Sequence, residues 1–369
     1  MYKTIEELVT RVDERNSDGT VSELIGVSID KCFIKSVANT NGTDLSKYKI
    51  IRKNDFAVSL MQVSRDGKIP VARLEEYEEA IMSPAYPIFR VKDKNIILPE
   101  YLEMWFKRPE FDREAAFIAV GGVRGSMPWE EFAKMKLPVP FIEKQQKIVN
   151  AYKIVTDRIA FKQKINDNLL NSVQAIFRSW FVDYDPFDGV CPSNWETGCV
   201  EDIAEFFDSM RKPLSSLERA DMERIYPYYG AVSIVDYVDD YIFDGEYLLV
   251  SEDGIYVVDE NGHPLIQHIS GKFWANNHAH ILKGKAGFNE DSLYLFLANT
   301  NMAPIVTGAA QPKINQANLK SFPITIPDSE TMLKFNNIIQ PFFDQRLTNE
   351  SEIKKLDALQ SLLLTRLVD

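Results

Sequence analysis

Two stretches of the chain carry apolar side chains at alternating spacings of four and three. The first sets Ile148, Tyr152, Val155 and Ile159 on one stripe and resumes it at Leu169, Val173, Ile176 and Trp180. Such spacing is the seam of a coiled coil and predicts a helix over about 143–182. Adding 187 to each number gives a second stripe: Phe335, Ile339, Phe342 and Arg346, then Leu356, Gln360, Leu363 and Leu367. Most of these are apolar and in the same register. Both stripes turn polar at the corresponding place, at Lys162 and Asn166 in the first and at Asn349 in the second, where Ile353 restores the pattern. Pro341 lies inside the second stripe; it lacks a backbone donor and predicts a kink.

The same offset governs what precedes each helix. Gly121 stands before a polar loop and the run F-A-K-M-K-L-P-V-P ending at Pro140, and Gly308 stands before L-K-S-F-P-I-T-I-P ending at Pro327. Each reads as a turn and a short strand that a proline stops. Farther upstream, Y-L-E-M-W-F at 101–106 matches S-L-Y-L-F-L at 292–297 at an offset of 191. Before that the halves share alternating, strand-like runs but no sequence. The repeat implies a duplication. The expected fold class is α+β: two globular lobes separated by a pair of long helices. A helix of about 38 residues spans about 57 Å, more than one lobe can bury. The two helices are therefore expected to pack antiparallel as a coiled-coil spacer, in an internal pseudo-two-fold repeat. The boundaries read as lobe 1–140, helix 141–187, lobe 188–327 and helix 328–369. Phe177, Trp180 and Phe181 close the first seam, and Asp185-Pro186 stops that helix.

Composition adds constraints. The 369 residues are 45% hydrophobic and 26% charged, enough for two or three globular domains. No apolar run reaches the roughly 18–20 residues of a membrane span, and the acidic N-terminus lacks a leader pattern, so the expected address is cytoplasmic. Cys32, Cys191 and Cys199 are scattered and read as free thiols. The net charge of −12 opposes unaided nucleic-acid binding, which needs Lys and Arg to neutralise phosphates. Any such contact must be local, or shared with a partner.

Catalytic signatures are weak. D-P-F-D at 185–188 resembles the Asn/Asp-Pro-Pro-Tyr loop of amino-methyltransferases, but it lacks the second proline and follows a helix. It reads as a helix stop. There is no Gly-rich loop after a strand for S-adenosylmethionine and no phosphate-binding G-x-x-x-x-G-K-[ST]. No catalytic residue and no cofactor is assigned. His263, His268, His278 and His280 fall within 18 residues, a spacing that raises the question of zinc. The alternation of His278 and His280 reads as an ordinary strand, and no metal is assigned.

Against this background a resemblance becomes specific. P-F-I-E-K-Q-Q-K-I-V at 140–149 resembles the P-x-x-E-Q-x-x-I-V opening of the helix in specificity (S) subunits of type I restriction-modification systems. K-I-N-D-N-L at 164–169 with A-I-F-R-S-W-F-V-D-Y-D-P at 175–186 looks like the end of that helix and its exit motif. Trp195, D-I-A at 202–204, Y-P-Y-Y-G at 226–230, N-N-H-A-H-I-L at 276–282 and T-G-A-A-Q-P-K-I-N at 307–315 look like landmarks of the second lobe. The resemblance covers essentially the whole chain; the second helix opening, D-S-E-T-M-L-K-F, departs from it. It implies that each lobe is a target recognition domain reading half of a bipartite double-stranded DNA site. The helices would then be a ruler that binds DNA adenine methyltransferase (M) subunits, with restriction (R) subunits joining in some systems. Readers on one DNA face sit roughly 34–36 Å apart or multiples of it, which suits a stiff spacer.

Candidate DNA contacts follow from residue type. Arg65 and Lys68 lie in S-R-D-G-K, read as a basic turn between strands; Arg pairs bidentately with guanine, and either cation can meet phosphate. The loop G-G-V-R-G-S at 121–126 offers Arg124 and Ser126 on a backbone able to approach closely. The offset maps it onto G-A-A-Q-P-K-I at 308–314, with Gln311 and Lys313. Arg211, Lys212 and Tyr229 complete the set. The helical residues expected to carry partner binding are Ile148, Val155, Leu169, Ile176, Trp180, Phe335, Phe342, Leu356 and Leu363. The alternative is a two-lobed protein-interaction scaffold that binds no DNA, which the negative charge favours; a self-contained modification enzyme is a further rival that the missing cofactor loop opposes.

Overall fold

The computed structural model describes residues 1–36, 43–122, 125–254 and 257–368. The chain forms two compact units, Met1–Lys162 with Glu352–Asp369, and Gln163–Ser351. Among the described residues, no helix is long and apolar enough to cross a membrane.

The first unit is built around an antiparallel sheet with strands in the order Val9–Val12, Ile88–Val91, Phe56–Val58, Val71–Arg73. All three residues of Phe56–Val58 are fully buried, as befits a strand covered on both faces. Phe56 stacks on Phe89 at 5.3 Å, and Phe106, Phe111 and Phe132 extend the aromatic core. The helix Pro99–Phe106 packs here with six buried side chains. Strand Tyr2–Thr4 pairs antiparallel with Lys136–Pro138. Thr4 then starts a short helix through a capping box with Glu7, which satisfies two orphan N–H groups.

The second unit repeats this plan with six strands. Ala204–Phe206, Ala279–Gly284, Phe243–Ser251 and Ile266–Ala275 match the first four in order, and Tyr226–Tyr229 and Ile234–Val238 extend the sheet. Equivalent hydrogen bonds show the duplication more clearly than the sequence does. Ile5 N donates to Met135 O, and Val200 N to Phe322 O. Met127 N donates to Leu60 O at 2.9 Å, and Ile314 N to Glu252 O at 2.9 Å. The offset is 187 for the later partners (322 − 135, 314 − 127), 192 in the central strand (252 − 60) and 195 at the start (200 − 5). Because the offset shrinks along the chain, the drift reflects short insertions in the first unit relative to the second.

The two long helices are Ile142–Phe181 and Ser329–Thr365. The second runs unbroken through Pro341, which stands inside it. In the first unit Gln360 Nε2 donates to Thr156 Oγ1 at 2.8 Å, Lys162 pairs with Glu352 at 2.7 Å, and Arg158 also meets Glu352. In the second unit Asn349 Nδ2 donates to Asn166 Oδ1 at 2.8 Å, and Phe335 packs against Phe177, Trp180 and Phe181. Within each unit the partner number falls as the other rises, so the segments are antiparallel. The polar break in the seam is a set of hydrogen bonds and ion pairs between helices. Buried Asn pairs of this kind fix register.

The seam differs from the expected stripe in one respect. Val149, Phe177, Phe343 and Leu364 are buried, whereas their neighbours Ile148, Ile176, Phe342 and Leu363 are only partly so. Within each unit the helical segments pack on the lobe as well as on each other, so the apolar face is wider than a two-position seam.

Candidate nucleic-acid interface

In the first unit, two loops meet beyond the end of strand Phe56–Val58. The segment expected to be a simple turn is a one-turn helix, Val63–Asp66, closed by Gly67 at φ 65°. Its exposed Arg65 donates to Asp66 Oδ1 at 3.0 Å and to the side chain of Gln62, and Lys68 lies 3.8 Å from Asp30. The second loop is brought against it. A Cβ on Gly125 (φ 74°) would lie 2.6 Å from Ser64 Oγ, so glycine is what lets the two backbones approach. Arg65 and Ser126 therefore share one surface, where Ser126 is partly buried. Arg124 lies outside the described residues.

In the second unit the equivalent loop is closed by reciprocal bonds between Thr307 and Lys313, both 2.8 Å. Gly308 takes φ 86°, and a Cβ there would collide with Gln311 O. Gln311 is exposed at the tip. Lys313 is only half-free: its Nζ sits 2.9 Å from Glu252, whose hydrogen bond raises the lysine above its ordinary range.

Beneath this loop is a buried charge network. Arg211 Nη1 donates to Glu252 at 2.6 Å and to Ala279 O at 2.6 Å, and its Nη2 is 3.4 Å from Asp208. His280, fully buried, places Nδ1 2.6 Å from Asp208 and Nε2 2.8 Å from Ile314 O. Gln316 Nε2 and Ile281 N also donate to Asp208, at 2.7 and 2.8 Å. Burial would raise the Glu252 carboxyl, but Lys313 and Arg211 hold it below its usual value; burial likewise opposes, and His280 with Arg211 outweighs it, at Asp208. Asp208, Glu252 and His280 bring ligand atoms within 4.8 Å of one another, a spacing a metal ion would accept. The cations Arg211 and Lys313 already donate to these carboxylates, so the set is electrostatically satisfied.

Several expected contacts are corrected by this geometry. Arg211 is not a surface cation; its side chain is 14% exposed and tied to two buried acids. Tyr229 is half-buried in strand Tyr226–Tyr229, edge-on to Phe273 at 5.6 Å, and belongs to the sheet core. Lys212 remains exposed, with Nζ 5.9 Å from the Trp274 ring. Among the helical residues, Phe335 is fully buried and Val155 nearly so; Ile148, Leu169, Ile176, Trp180, Phe342, Leu356 and Leu363 are partly buried. Phe335 lies in the core of the second unit, Ile176, Trp180 and Phe342 pack against that core, and Ile148 packs against the core of the first unit. Ile154 and Phe161, which the seam pattern passes over, are exposed and seven residues apart.

The histidines do not gather. His263 faces Asp259, His268 faces Asp291, His278 faces Asp253 and His280 faces Asp208. His268 and Asp291 are both shifted toward neutrality. Burial, with Arg346 nearby, lowers the imidazole to about 4; burial, with Glu246, Asp344 and Glu290 nearby, raises the carboxyl to about 7. Their 3.6 Å approach is thus a polar contact rather than an ion pair.

Residues 192–359 match the type I restriction modification DNA specificity domain. S.HindORF215P, a candidate type I restriction enzyme specificity subunit of Haemophilus influenzae, is 39% identical over 128 residues, 35% of this chain and 32% of its own length. The MjaIX specificity subunit of Methanocaldococcus jannaschii is 23% identical over 300 residues, 74% of this chain and 69% of its own. The alignment thus spans only about a third of the Haemophilus relative. The crystal structure of a type I restriction-modification S subunit from M. genitalium shares the fold across 100% of this chain and 96% of that one, with a TM-score of 0.56 at 15% identity. With the duplicated sheet, the long helices and the DNA specificity domain matched over residues 192–359, the chain is similar in sequence to type I restriction enzyme specificity subunits and shares the fold of an S subunit.

Proposed function

We propose that the chain recognises a bipartite DNA site and directs methyltransferase subunits to it, without catalysing a reaction itself. Residues 1–140 and 188–327 are the two target recognition domains, and the helical segments 141–187 and 328–369 are the spacer. By family resemblance the methyltransferase modifies adenine, and restriction subunits join for cleavage.

The observation that carries this reading is the repeated loop pair. Each unit ends its central strand beside a glycine-dependent loop with polar residues at its surface: Arg65, Lys68 and Ser126 in one, Gln311 and Lys313 in the other. Such groups reach phosphates and base edges. The outward apolar pair Ile154 and Phe161 supports a protein partner on the first long helix.

The net charge of −12 sets the expected affinity. The chain alone binds duplex weakly; with its methyltransferase it binds a bipartite duplex, and the affinity falls steeply with salt. A gel shift or anisotropy titration at several salt concentrations checks this. Tight binding by the isolated chain, unchanged on adding the methyltransferase, would refute the shared-channel reading. No duplex binding even with the partner present would favour an interaction scaffold.

A further inference from the structure

We propose that Gln62 is a specificity-determining residue of the first lobe, its side-chain amide reading a base edge. The inference rests on the DNA-recognition reading above and names a residue that the basic-turn pattern does not contain.

Four observations converge on it. First, Gln62 stands at φ 63° and ψ 18°, in the left-handed region that non-glycine residues avoid. Its side chain makes no hydrogen bond to the backbone of the following turn, so it is not there as a cap. Second, the side chain is exposed yet oriented. Arg65 donates to Oε1, and Arg65 is itself held by Asp66 at 3.0 Å. A guanidinium can only donate, so Oε1 faces it and the two Nε2 hydrogens are left to point elsewhere. Third, Gly125 approaches Ser64, so the glycine loop lies beside the same turn.

The fourth observation comes from the duplication. The offset of 192 that relates Leu60 to Glu252 places Gln62 on Gly254, which also has a positive φ, 141°. Both positions have a positive φ after the central strand, but Gln62 at 63° is in the left-handed helical region and Gly254 at 141° is farther round, where glycine is favoured. A glycine would meet the backbone requirement in both units at no steric cost. The first unit instead carries a strained glutamine pre-set by an arginine. That is the pattern of a reading position that distinguishes one half-site from the other. An amide aimed outward beside a guanidinium suits a purine edge: glutamine pairs with adenine N6 and N7, arginine with guanine O6 and N7.

The test uses the full chain assembled with its methyltransferase and a duplex library randomised at both half-sites. For Gln62→Gly, preference at one base pair of the first half-site should fall about tenfold or more, as for one lost bidentate contact. The second half-site should keep its preference. Thermal stability should hold or rise, because the strain is relieved. Gln62→Glu should change which base is preferred at that pair, since the carboxylate only accepts. Unchanged selectivity in both variants overturns the proposal, as does a loss spread evenly over both half-sites. If the unsubstituted complex selects no bipartite site, it is the underlying DNA-recognition reading that fails.

Discussion

Removing the Arg211 guanidinium would leave Asp208 and Glu252 buried without it. Loss of one partner from a buried charge set costs about 3–5 kcal/mol, whereas an exposed cation contributes well under about 1 kcal/mol. Arg211→Ala should therefore destabilise the second unit by about 3 kcal/mol or more, and Arg65→Ala should barely register, in parallel urea titrations. Sequence reading placed both on the surface, because the acids that enclose Arg211 lie three and forty-one residues away and only the sheet brings Glu252 in. The sequence set the four histidines within 18 residues of one another but did not show that each faces its own aspartate. One of these gives a pH signature. Asp291 titrates at about 7 in the fold against 3.8 unperturbed, so the stability this proton binding provides is full below pH 3.8 and is lost as pH rises through 7. His268, lowered to about 4, acts oppositely between pH 4 and 6.5 and masks the effect. In Asp291→Asn the carboxyl's contribution is gone. The variant should gain on the parent by about 1.4 kcal/mol per pH unit between roughly pH 4 and 7, read from unfolding free energies at stepped pH. A flat difference would contradict the assigned shift.

At the scale of elements, the long helices were the most legible part of the fold, since a stripe sustained over ten turns has few other readings. What the stripe hid was its width: Val149 and Phe343 are buried because the helix also faces a lobe, and no periodicity distinguishes two neighbours from one. The lobes were the least legible. Strands such as Phe56–Val58 and Val71–Arg73, which pair with each other, are three residues long, too short to display an alternation, and Phe56–Val58 also pairs with Ile88–Val91 farther along the chain. Pro341 lies within a continuous helix and cannot donate to the carbonyl one turn back. Pro341→Ala restores that bond and should stabilise the chain by up to about 3 kcal/mol, seen as a raised thermal midpoint. Gly308→Ala should do the reverse. Its Cβ meets Gln311 O, so the loop must open, and DNA selectivity should fall at the second half-site alone.

For the whole molecule, the duplication was readable at one offset near the helices and lost upstream, because insertions had moved the equivalent positions from 187 to 195 residues apart. Matching hydrogen bonds, Met127 to Leu60 and Ile314 to Glu252, recover what the letters no longer show. The first unit draws on two separated parts of the chain: Leu364 and Leu367 are buried in the same core as Phe56 and Phe89. Leu364→Ala should cost about 2–4 kcal/mol there. Amide exchange should quicken at Phe56–Val58 and stay unchanged at Leu248–Val250.

That division has a consequence for synthesis. Residues 163–351 are contiguous, so the second unit has all its parts once Ser351 clears the ribosome. The first unit, although its strands emerge earlier, must wait for residues 352–369 before its core can close. The lobe made first is thus the lobe finished last, and its half-built hydrophobic face is the stretch a nascent-chain chaperone has most reason to cover.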